Sequence, residues 1–314
     1  MKIKKNISLK NKNWFRTGGS AKYFAEPKNI NEFKITLEFA QKNNLEIFVL
    51  GGGANILISD YGFDGLVTKP DMKKINIITK KNYCLVQSEC SVTIQDLIDH
   101  CIKNNIIGLE EFSNIPGTVG GSIYINIHYF DYFLSDFLYS ATIINKKTDK
   151  SYCVDKNWFN FGYDKSKLQN KEHFLINATF KLKKANDIET AYCKGRRDEI
   201  IRQRTRRYPT SNTCGSFFRN FNEKEINFKI HNKKILFVAY YLDKIGIKGE
   251  LRYKNAIVSE KHSNMIVTLK NTKSSDVINL AKKIQKLTFK KYGIIPQPEC
   301  QLIGFKKYPL FQFE

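Results

Sequence analysis

The apolar positions along this chain recur at two different intervals, which predict helices and strands. Five segments are predicted as helices. In the first of them Phe33, Leu37 and Ala40 recur at helical spacing. In the second, Thr93 or Ser91 is a suitable N-cap. The predicted helices are residues 31–44, 93–105, 188–206, 235–243 and 273–292.

Short apolar runs, several of them bounded by turn residues, predict strands between these helices. We find no internal repeat and no low-complexity linker, and the polar segment 183–187 is the best candidate for a domain boundary. Because strands and helices are mixed along the chain, the predicted fold class is α+β, with mixed sheets and flanking helices. The predicted strands are residues 47–50, 138–145, 174–183, 256–262, 265–269 and 298–304, and residues 56–58 are a further apolar segment.

Two glycine-rich loops follow apolar segments, at Gly51–Asn55 and Ile115–Ser122. A strand that ends in three glycines lets the backbone approach a ligand closely and turn its amides toward an anion. Neither loop has a Walker A or a G-x-G-x-x-G pattern, which disfavours a classical nucleotide fold. Each loop alone is also typical of an ordinary turn, whereas the two together could clasp a dinucleotide between subdomains.

A third segment, Cys214–Asn220, carries a hydroxyl, a cation and a carboxamide within a few residues. If it is a strand, Ser216, Phe218 and Asn220 share one face, and Phe217 and Arg219 share the other. A hydroxyl held rigidly beside apolar residues can deliver a proton in a dry pocket. The alternative is a strand end whose serine satisfies a backbone group.

The charge balance predicts an anionic partner. The chain has 314 residues, 52 of them Lys or Arg against 30 Asp or Glu, for a net charge of +22. Nucleic acid, a membrane surface or a phosphorylated small molecule would suit this charge, and so would a merely solvated surface. The arginine cluster from Lys194 to Arg207, on a predicted helix ending near Pro209, leaves the same choice between a phosphate grip and an exposed helix face.

Cysteine and histidine usage argues against disulfides and metal sites. Seven cysteines are scattered without C-x-x-C spacing, and the histidines are dispersed, so we expect no metal and a reducing compartment. We see no run of about 18 apolar residues and no apolar stretch of a signal peptide near the N-terminus. We therefore expect a cytoplasmic protein.

Seven motifs occur in a fixed order, and together they resemble the MurB family of UDP-N-acetylenolpyruvoylglucosamine reductases. Any one motif is unspecific, but the ordered set is specific and covers nearly the whole chain. The motifs are Asn13-Trp14-Phe15-Arg16-Thr17-Gly18-Gly19, Leu50-Gly51-Gly52-Gly53-Ala54-Asn55-Ile56-Leu57, Ile115-Pro116-Gly117-Thr118-Val119-Gly120-Gly121, Gly215-Ser216-Phe217-Phe218-Arg219-Asn220, Leu242-Asp243-Lys244-Ile245-Gly246-Ile247-Lys248-Gly249, Val258-Ser259-Glu260-Lys261-His262-Ser263-Asn264 and Pro298-Glu299.

The resemblance implies a two-part FAD-binding region of the PCMH, vanillyl-alcohol-oxidase-like type and a C-terminal α+β substrate domain. The implied boundaries are residues 1–70 and 71–185 for the two FAD-binding subdomains and 186–314 for the substrate domain. NADPH would reduce the flavin, which would pass hydride to the enolpyruvyl double bond of the UDP-sugar. The implied FAD contacts are Gly51, Gly52, Gly53, Ala54, Asn55, Ile115, Pro116, Gly117, Thr118, Gly120 and Gly121.

The resemblance also assigns roles in catalysis and substrate binding. Ser216 would protonate the carbanion-like carbon, and Glu299 would polarise the substrate carboxylate or the enolic intermediate. Arg219 and Asn220 match positions that contact the substrate, while for Tyr163 core packing and substrate contact both stay open. We expect a monomer whose partners are NADPH and the UDP-sugar, with no nucleic acid and no membrane.

Two departures from the family pattern leave alternatives open. Asp164 stands where the family usually has an arginine that stabilises the enolic intermediate, and Lys165 could substitute without the bidentate fork. The bulky run from Ile127 to Phe133 replaces small residues, and no long insertion is evident, which favours the shorter subtype. The alternatives are a related FAD protein with altered substrate or weakened catalysis, and a basic nucleic-acid-binding protein.

Overall fold

The computed structural model describes residues 1–229 and 232–312. The chain forms two compact units, and several segments of the chain contribute to each. The first unit comprises Met1–Lys5, Tyr23–Gly52 and Gly65–Arg204, and the second comprises Asn6–Lys22, Gly53–Asp64 and Thr205–Glu314. The division at residues 70 and 185 that the resemblance implies stays a prediction.

The described residues contain six α-helices and seventeen strands, with short 3-10 turns between them. The helices are α1 (Ile30–Lys42), α2 (Ile94–Lys103), α3 (Val119–Ile125), α4 (Asp187–Arg207), α5 (Val238–Ile245) and α6 (Ser274–Tyr292). The strands are β1 (Lys4–Ser8), β2 (Ser20–Ala25), β3 (Ile47–Val49), β4 (Ile56–Ile58), β5 (Phe63–Thr68), β6 (Ile75–Thr79), β7 (Tyr83–Glu89), β8 (Ile106–Ile107), β9 (His128–Tyr129), β10 (Tyr132–Phe133), β11 (Leu138–Asn145), β12 (Ser151–Asp155), β13 (His173–Lys184), β14 (Arg252–Tyr253), β15 (Ala256–Val258), β16 (Ile266–Thr268) and β17 (Gln301–Ile303).

The first two helices form where the apolar spacing predicts them. Helix α1 buries Phe33 and Leu37 completely, and burial of such side chains stabilises a fold by roughly 1.5–3 kcal/mol each. Asn29 caps this helix by accepting a hydrogen bond from the backbone N–H of Glu32. Thr93 caps α2 in the same way, which confirms one of its two predicted N-caps.

The main sheet of the first unit has the strand order β12-β11-β13-β7-β6, and β8 also pairs with β13. All of its pairings are antiparallel, and Ala178 on β13 lies opposite Ala141 on β11 and Ser88 on β7. Strands β11 and β13 confirm the predicted segments. The β6–β7 hairpin has no counterpart in the prediction, although β7 buries Cys84, Val86 and Ser88 alternately. One contiguous core joins this sheet to α1 and α2.

The second unit has its own core, built around the long helix α6. This helix buries Leu280, Ala281 and Ile284, and it ends at Gly293 in a left-handed conformation, a common helix stop. The three-stranded antiparallel sheet β14-β15-β16 belongs to this unit, as does the parallel pair of β17 with β4. Within residues 1–229 and 232–312, no helix is both long and apolar enough to cross a membrane.

Three predicted boundaries are wrong. The helix expected from residue 235 begins at Val238, because Asn220 accepts the hydrogen bond of the Val238 N–H and Phe237 stays extended. The strand expected over 256–262 ends at Val258, and the last strand begins only at Gln301. Part of the second glycine-rich loop is helical, since α3 begins within it.

Gly62 lies in a tight turn of the second unit that has no room for a side chain. Gly62 has φ +78°, and a Cβ there would overlap the carbonyl oxygen of Ser20. We expect Gly62→Ala to lower the free energy of unfolding by about 2 kcal/mol or more, from strain and overlap together. Gly195→Ala is the matched control, because a Cβ at this helical position meets nothing within 4 Å; it should stabilise by roughly 0.5–1 kcal/mol. Urea unfolding measures both, and equal stability of the Gly62→Ala and native proteins would contradict the argument.

Candidate active site

The two glycine-rich loops touch each other in the first unit. Strand β3 pairs in parallel with β5 and leads directly into Gly51 and Gly52. A Cβ on Gly51 would lie 2.8 Å from Thr118 Oγ1, and one on Gly52 would lie 3.1 Å from the Cα of Gly117. Side chains at these positions would push the loops apart, so glycine is required for the close approach.

The second loop is fixed by its own hydrogen bonds. Thr118 caps α3 by accepting from the Gly121 N–H at 3.3 Å, while the Gly120 N–H donates to Cys90 O at 2.9 Å. Gly117 has φ +145°, and the nearest heavy atom that a Cβ would meet is Ser122 Oγ at 3.6 Å. The backbone at Gly117 is thus shaped for close contact with a ligand. Ile115 and Pro116 precede it in the same loop.

The last three residues of the first glycine-rich loop belong to the second unit, where they have a structural role. Gly53 has φ +67°, and a Cβ there would lie 2.5 Å from Lys12 O. Its carbonyl accepts from the Trp14 N–H at 2.9 Å. Ala54 follows, and the carbonyl of Asn55 accepts from the Gln301 N–H at 3.1 Å. In the described contacts, this part of the loop serves to anchor the N-terminal motif and β17.

The Ser216 segment is extended, but it forms isolated bridges and not a regular strand. Ser216 bridges to Met265, and Phe218 bridges to Pro298. The carboxamide of Asn264 accepts from the Phe218 N–H at 3.1 Å and donates to the Phe218 carbonyl at 2.7 Å. Phe217 and Phe218 are both buried, whereas Ser216 and Arg219 are partly exposed.

Ser216 and Glu299, the two predicted catalytic residues, lie on neighbouring antiparallel segments of the second unit. The Glu299 N–H donates to the Phe217 carbonyl at 2.9 Å, next to the Phe218–Pro298 bridge. Ser216 is half-buried, while Phe217 beside it is fully buried. Burial, and the neighbouring Cys300, raise the pKa of the Cys214 thiol well above its usual range. Ser216 thus lies in a partly desolvated place, and the neutral Cys214 thiol donates to its backbone carbonyl at 3.8 Å.

The two predicted substrate contacts on this segment are each held by a neighbour. Arg219 forms a bidentate pair with Glu225, with N···O distances of 2.8 Å and 2.6 Å. Its backbone N–H donates to Gln297 O at 2.9 Å. Asn220 Oδ1 accepts from the Val238 N–H at 3.2 Å and so caps α5. The segment therefore presents its polar side chains in fixed positions.

Tyr163, Asp164 and Lys165 form a tight turn in the first unit. Gly162 and Lys165 exchange backbone hydrogen bonds of 3.0 Å and 3.3 Å, and Asp164 has φ +51°. Tyr163 is half exposed, which excludes full core packing, and its ring lies 4.4 Å from that of His128. Lys165 is exposed. The roles of Tyr163 and Lys165 in substrate binding stay predictions.

The carboxylate of Asp164 lies beside His128, from the bulky run. Their Oδ1 and Nδ1 atoms are 3.6 Å apart, and both side chains are largely buried. Burial lowers the pKa of His128, so the imidazole is neutral near pH 7 and the contact is a polar one. The two departures from the family pattern are therefore in contact with each other.

Three of the six arginines of helix α4 pair with carboxylates. Arg196 makes a bidentate contact with Glu111, at 2.8 Å and 3.0 Å, and Arg197 Nη2 donates to Asp99 at 2.6 Å. Arg202 pairs with Glu199 within the helix. These pairs favour a solvated, ion-paired helix face over a dedicated phosphate grip at those positions.

Sequence reasoning missed three contacts made with predicted residues, those of Asn264 with Phe218, Glu225 with Arg219 and His128 with Asp164. Asn264 is the last residue of the motif that begins at Val258. Its carboxamide contact with Phe218 spans 46 positions, so no local pattern indicates it. Glu225 had a detectable signal, since Asn222 and Glu225 have the spacing of a capping box. His128 lies in the bulky run from Ile127 to Phe133, and no local pattern indicates its contact with Asp164.

Two family models that match this chain define its class of protein. Residues 21–148 match the family model described as FAD binding domain. Residues 207–303 match the model described as UDP-N-acetylenolpyruvoylglucosamine reductase, C-terminal domain. The protein is an FAD-dependent oxidoreductase, and the predicted FAD is confirmed at this level. The glycine contacts at residues 51, 52 and 117 fit a bound dinucleotide, because they keep the backbone clear of side chains.

Full-length relatives then define the family. The chain is 31% identical over 307 residues to UDP-N-acetylenolpyruvoylglucosamine reductase of Prochlorococcus marinus, covering 97% of this chain and 99% of that one. It is 29% identical to the protein of that name from Caldicellulosiruptor saccharolyticus, covering 98% and 94%. The chain belongs to the UDP-N-acetylenolpyruvoylglucosamine reductase family, which confirms the resemblance read from its motifs.

A solved structure supports the fold class. The crystal structure of UDP-N-acetylenolpyruvylglucosamine reductase (MurB) from Thermus caldophilus matches with a TM-score of 0.78 at 21% identity, covering 96% of this chain and 99% of that chain. Together with the mixed helices and sheets of the two units, this match confirms the predicted α+β fold class.

The buried carboxamide of Asn264 satisfies both backbone groups of Phe218, so its removal should destabilise the protein. We expect Asn264→Ala to lower the free energy of unfolding by about 2–4 kcal/mol, because it strands the N–H and carbonyl of Phe218 away from water. The matched control is Asn255→Ala, which removes one exposed hydrogen bond to Lys270 O in the same unit and should cost no more than about 0.5 kcal/mol. Chemical denaturation measures both. Similar small losses in the two variants would show that Asn264 does not hold the segment.

Proposed function

We propose that this protein reduces UDP-N-acetylenolpyruvoylglucosamine to UDP-N-acetylmuramate, with FAD as cofactor and NADPH as reductant. The observation that carries the proposal is the antiparallel pairing of the Ser216 and Glu299 segments, in which the backbone of Glu299 pairs with Phe217, the residue after Ser216. Relatives that bear the reductase name match over nearly the whole chain, which supports the same assignment. The product would enter peptidoglycan precursor synthesis.

The glycine-rich loops are proposed to hold the cofactor through backbone contacts. Bound FAD would accept hydride from NADPH and deliver it to one carbon of the enolpyruvyl double bond. The chain's part is to keep Gly51, Gly52 and Gly117 free of side chains, so that a dinucleotide can lie against the backbone. Gly53, Ala54 and Asn55 would contribute by fixing the end of the first loop.

Ser216 is proposed as the proton donor to the substrate carbon that bears the carboxylate. That carbon receives the electron pair of the double bond when hydride adds to its neighbour, so a proton must follow. A serine hydroxyl is a weak acid in water, but a desolvated and aligned hydroxyl can protonate a strongly basic carbon. The buried Phe217 and the backbone bridge to Met265 hold Ser216 in one position.

Glu299 and four polar residues are proposed to bind and polarise the substrate. Glu299, next to Ser216 in the paired segments, would act on the carboxylate or enolic form of the substrate. Arg219 supplies a positive charge on the same segment. The other proposed contacts with the substrate come from Asn220, Tyr163 and Lys165.

The organisation that we propose for the whole chain follows the implied division. Residues 1–70 and 71–185 would bind FAD, and residues 186–314 would bind the UDP-sugar. The protein would act as a monomer in the cytoplasm, where UDP-sugars and NADPH are available. We also propose that the protein is of the shorter subtype of the family.

Separating the two half-reactions tests the role of Ser216. We expect Ser216→Ala to keep NADPH-dependent flavin reduction within about threefold of native and to lower product formation by roughly 10²–10⁴, the range for loss of general acid catalysis. Stopped-flow absorbance measures the first step, and single-turnover product analysis measures the second. Ser211→Ala, an exposed serine shortly before the segment, is the control and should leave both steps intact. Equal loss of both steps would refute the assignment.

Flavin content tests the proposed cradle. A Cβ on Gly52 would lie 3.1 Å from the Cα of Gly117, so Gly52→Ala should displace one loop from the other. We expect FAD per chain in the purified protein to fall by about tenfold, a loss equivalent to about 1.4 kcal/mol of binding. The flavin-to-protein absorbance ratio measures it, with the Gly195→Ala protein as control. A native flavin content in Gly52→Ala would place the cofactor elsewhere.

A further inference from the structure

The carboxylate of Glu225, in the second unit, is largely buried and pairs with Arg219. Glu225 ends a short 3-10 turn, Glu223–Glu225, and its side chain is 13% exposed. It accepts hydrogen bonds from both Nη atoms of Arg219, at 2.8 Å and 2.6 Å, and from the Asn222 N–H at 2.7 Å. The arginine is also largely buried, with 29% of its side chain exposed.

This pair is stronger than an ordinary surface ion pair. Bidentate carboxylate–guanidinium contacts fix the plane of the guanidinium as well as its position. The hydrogen bonds from Arg219 lower the pKa of Glu225, although burial opposes this shift. Because the pKa is lowered, the ionised pair persists above the ordinary carboxyl value and is lost only as pH falls through the lowered one. At neutral pH Arg219 is therefore held by an ionised Glu225.

The backbone of Arg219 is fixed independently of its side chain. Its N–H donates to Gln297 O at 2.9 Å, within the pairing that also holds Glu299. Its Nη1 atom donates to the Asn220 carbonyl at 2.9 Å as well as to Glu225. These contacts use N–H donors on both Nη atoms, so they orient the plane of the guanidinium.

We propose that Glu225 is a positioning residue, which holds the Arg219 guanidinium in place to bind an oxyanion of the substrate. The proposal rests on the proposed function, since it assumes that the substrate is the UDP-sugar. Without Glu225, the long arginine side chain would have to be ordered by the substrate itself, which weakens binding. The oxyanion is either the enolpyruvyl carboxylate or the diphosphate, and the two sources are separable by experiment.

The test compares Glu225→Ala and Glu225→Gln with Glu223→Ala, which removes the same charge from an exposed position in the same turn. We expect Glu225→Ala to raise KM for UDP-N-acetylenolpyruvoylglucosamine by about tenfold to a hundredfold, as for loss of a charged hydrogen bond, with kcat within about threefold. Glu225→Gln keeps one acceptor oxygen and should recover part of this loss. Glu223→Ala should match the native protein.

Further readouts separate positioning from a merely structural role. Flavin content and NADPH-dependent flavin reduction of Glu225→Gln should equal those of the native protein, whereas its thermal midpoint should fall, because the amide lacks the charge that pairs with Arg219. UDP, which carries the diphosphate but no enolpyruvyl group, serves as the probe of the oxyanion source. Weaker UDP binding in Glu225→Ala assigns Arg219 to the diphosphate, and unchanged UDP binding with a raised KM assigns it to the carboxylate.

Two results would overturn the proposal. One is a KM in Glu225→Ala no higher than in Glu223→Ala. The other is a fall in kcat and thermal midpoint with KM unchanged, which would make Glu225 only a structural partner of the turn. Failure of the proposed function has a different signature, because native protein that reduces its flavin with NADPH would then show no turnover of this substrate at all.

Discussion

The carboxamide of Asn264 is the contact on which the proposed catalytic segment depends. Both backbone groups of Phe218 are buried, and both end on this one side chain, at 3.1 Å and 2.7 Å. Asn264 thus replaces a missing strand partner and lets the segment remain extended without joining a sheet. With Phe218 fixed, the bridge to Pro298 sets the position of Glu299, and the adjacent Arg219 is set by Gln297 and Glu225.

In the first unit, glycines allow two loops to approach closely, whereas in the second unit a polar side chain holds the backbone. Gly51 and Gly52 approach the second loop so closely that even a methyl group would crowd Thr118 or Gly117. Both solutions hold the backbone in one conformation. A rigid site reduces the ordering that a bound ligand must bring about, which favours binding and alignment.

Local patterns predicted the elements that local forces determine. Helices α1 and α2 follow from apolar spacing and from caps within the same turn, at Asn29 and Thr93. The start of α5 could not be predicted, because its cap comes from Asn220, 18 positions away. Similarly, the ordered motifs pointed to Ser216 and Glu299, whereas the contact of Asn264 with Phe218 spans 46 positions and is created only by folding. The extended segment at Ser216 was foreseen, but its burial on both faces depends on chain from two distant segments.

The departure at Asp164 is best understood together with the bulky run before it. An aspartate tolerates the left-handed backbone at this position better than most residues, and its carboxylate lies 3.6 Å from the imidazole of His128. Tyr163 in turn packs against the same imidazole. The two departures are therefore in contact, and a carboxylate, a neutral imidazole and a phenol ring lie together. Restoring an arginine at position 164 alone would remove the polar partner of His128 and add strain at φ +51°, so its effect on turnover is interpretable only beside a variant in which His128 is also replaced.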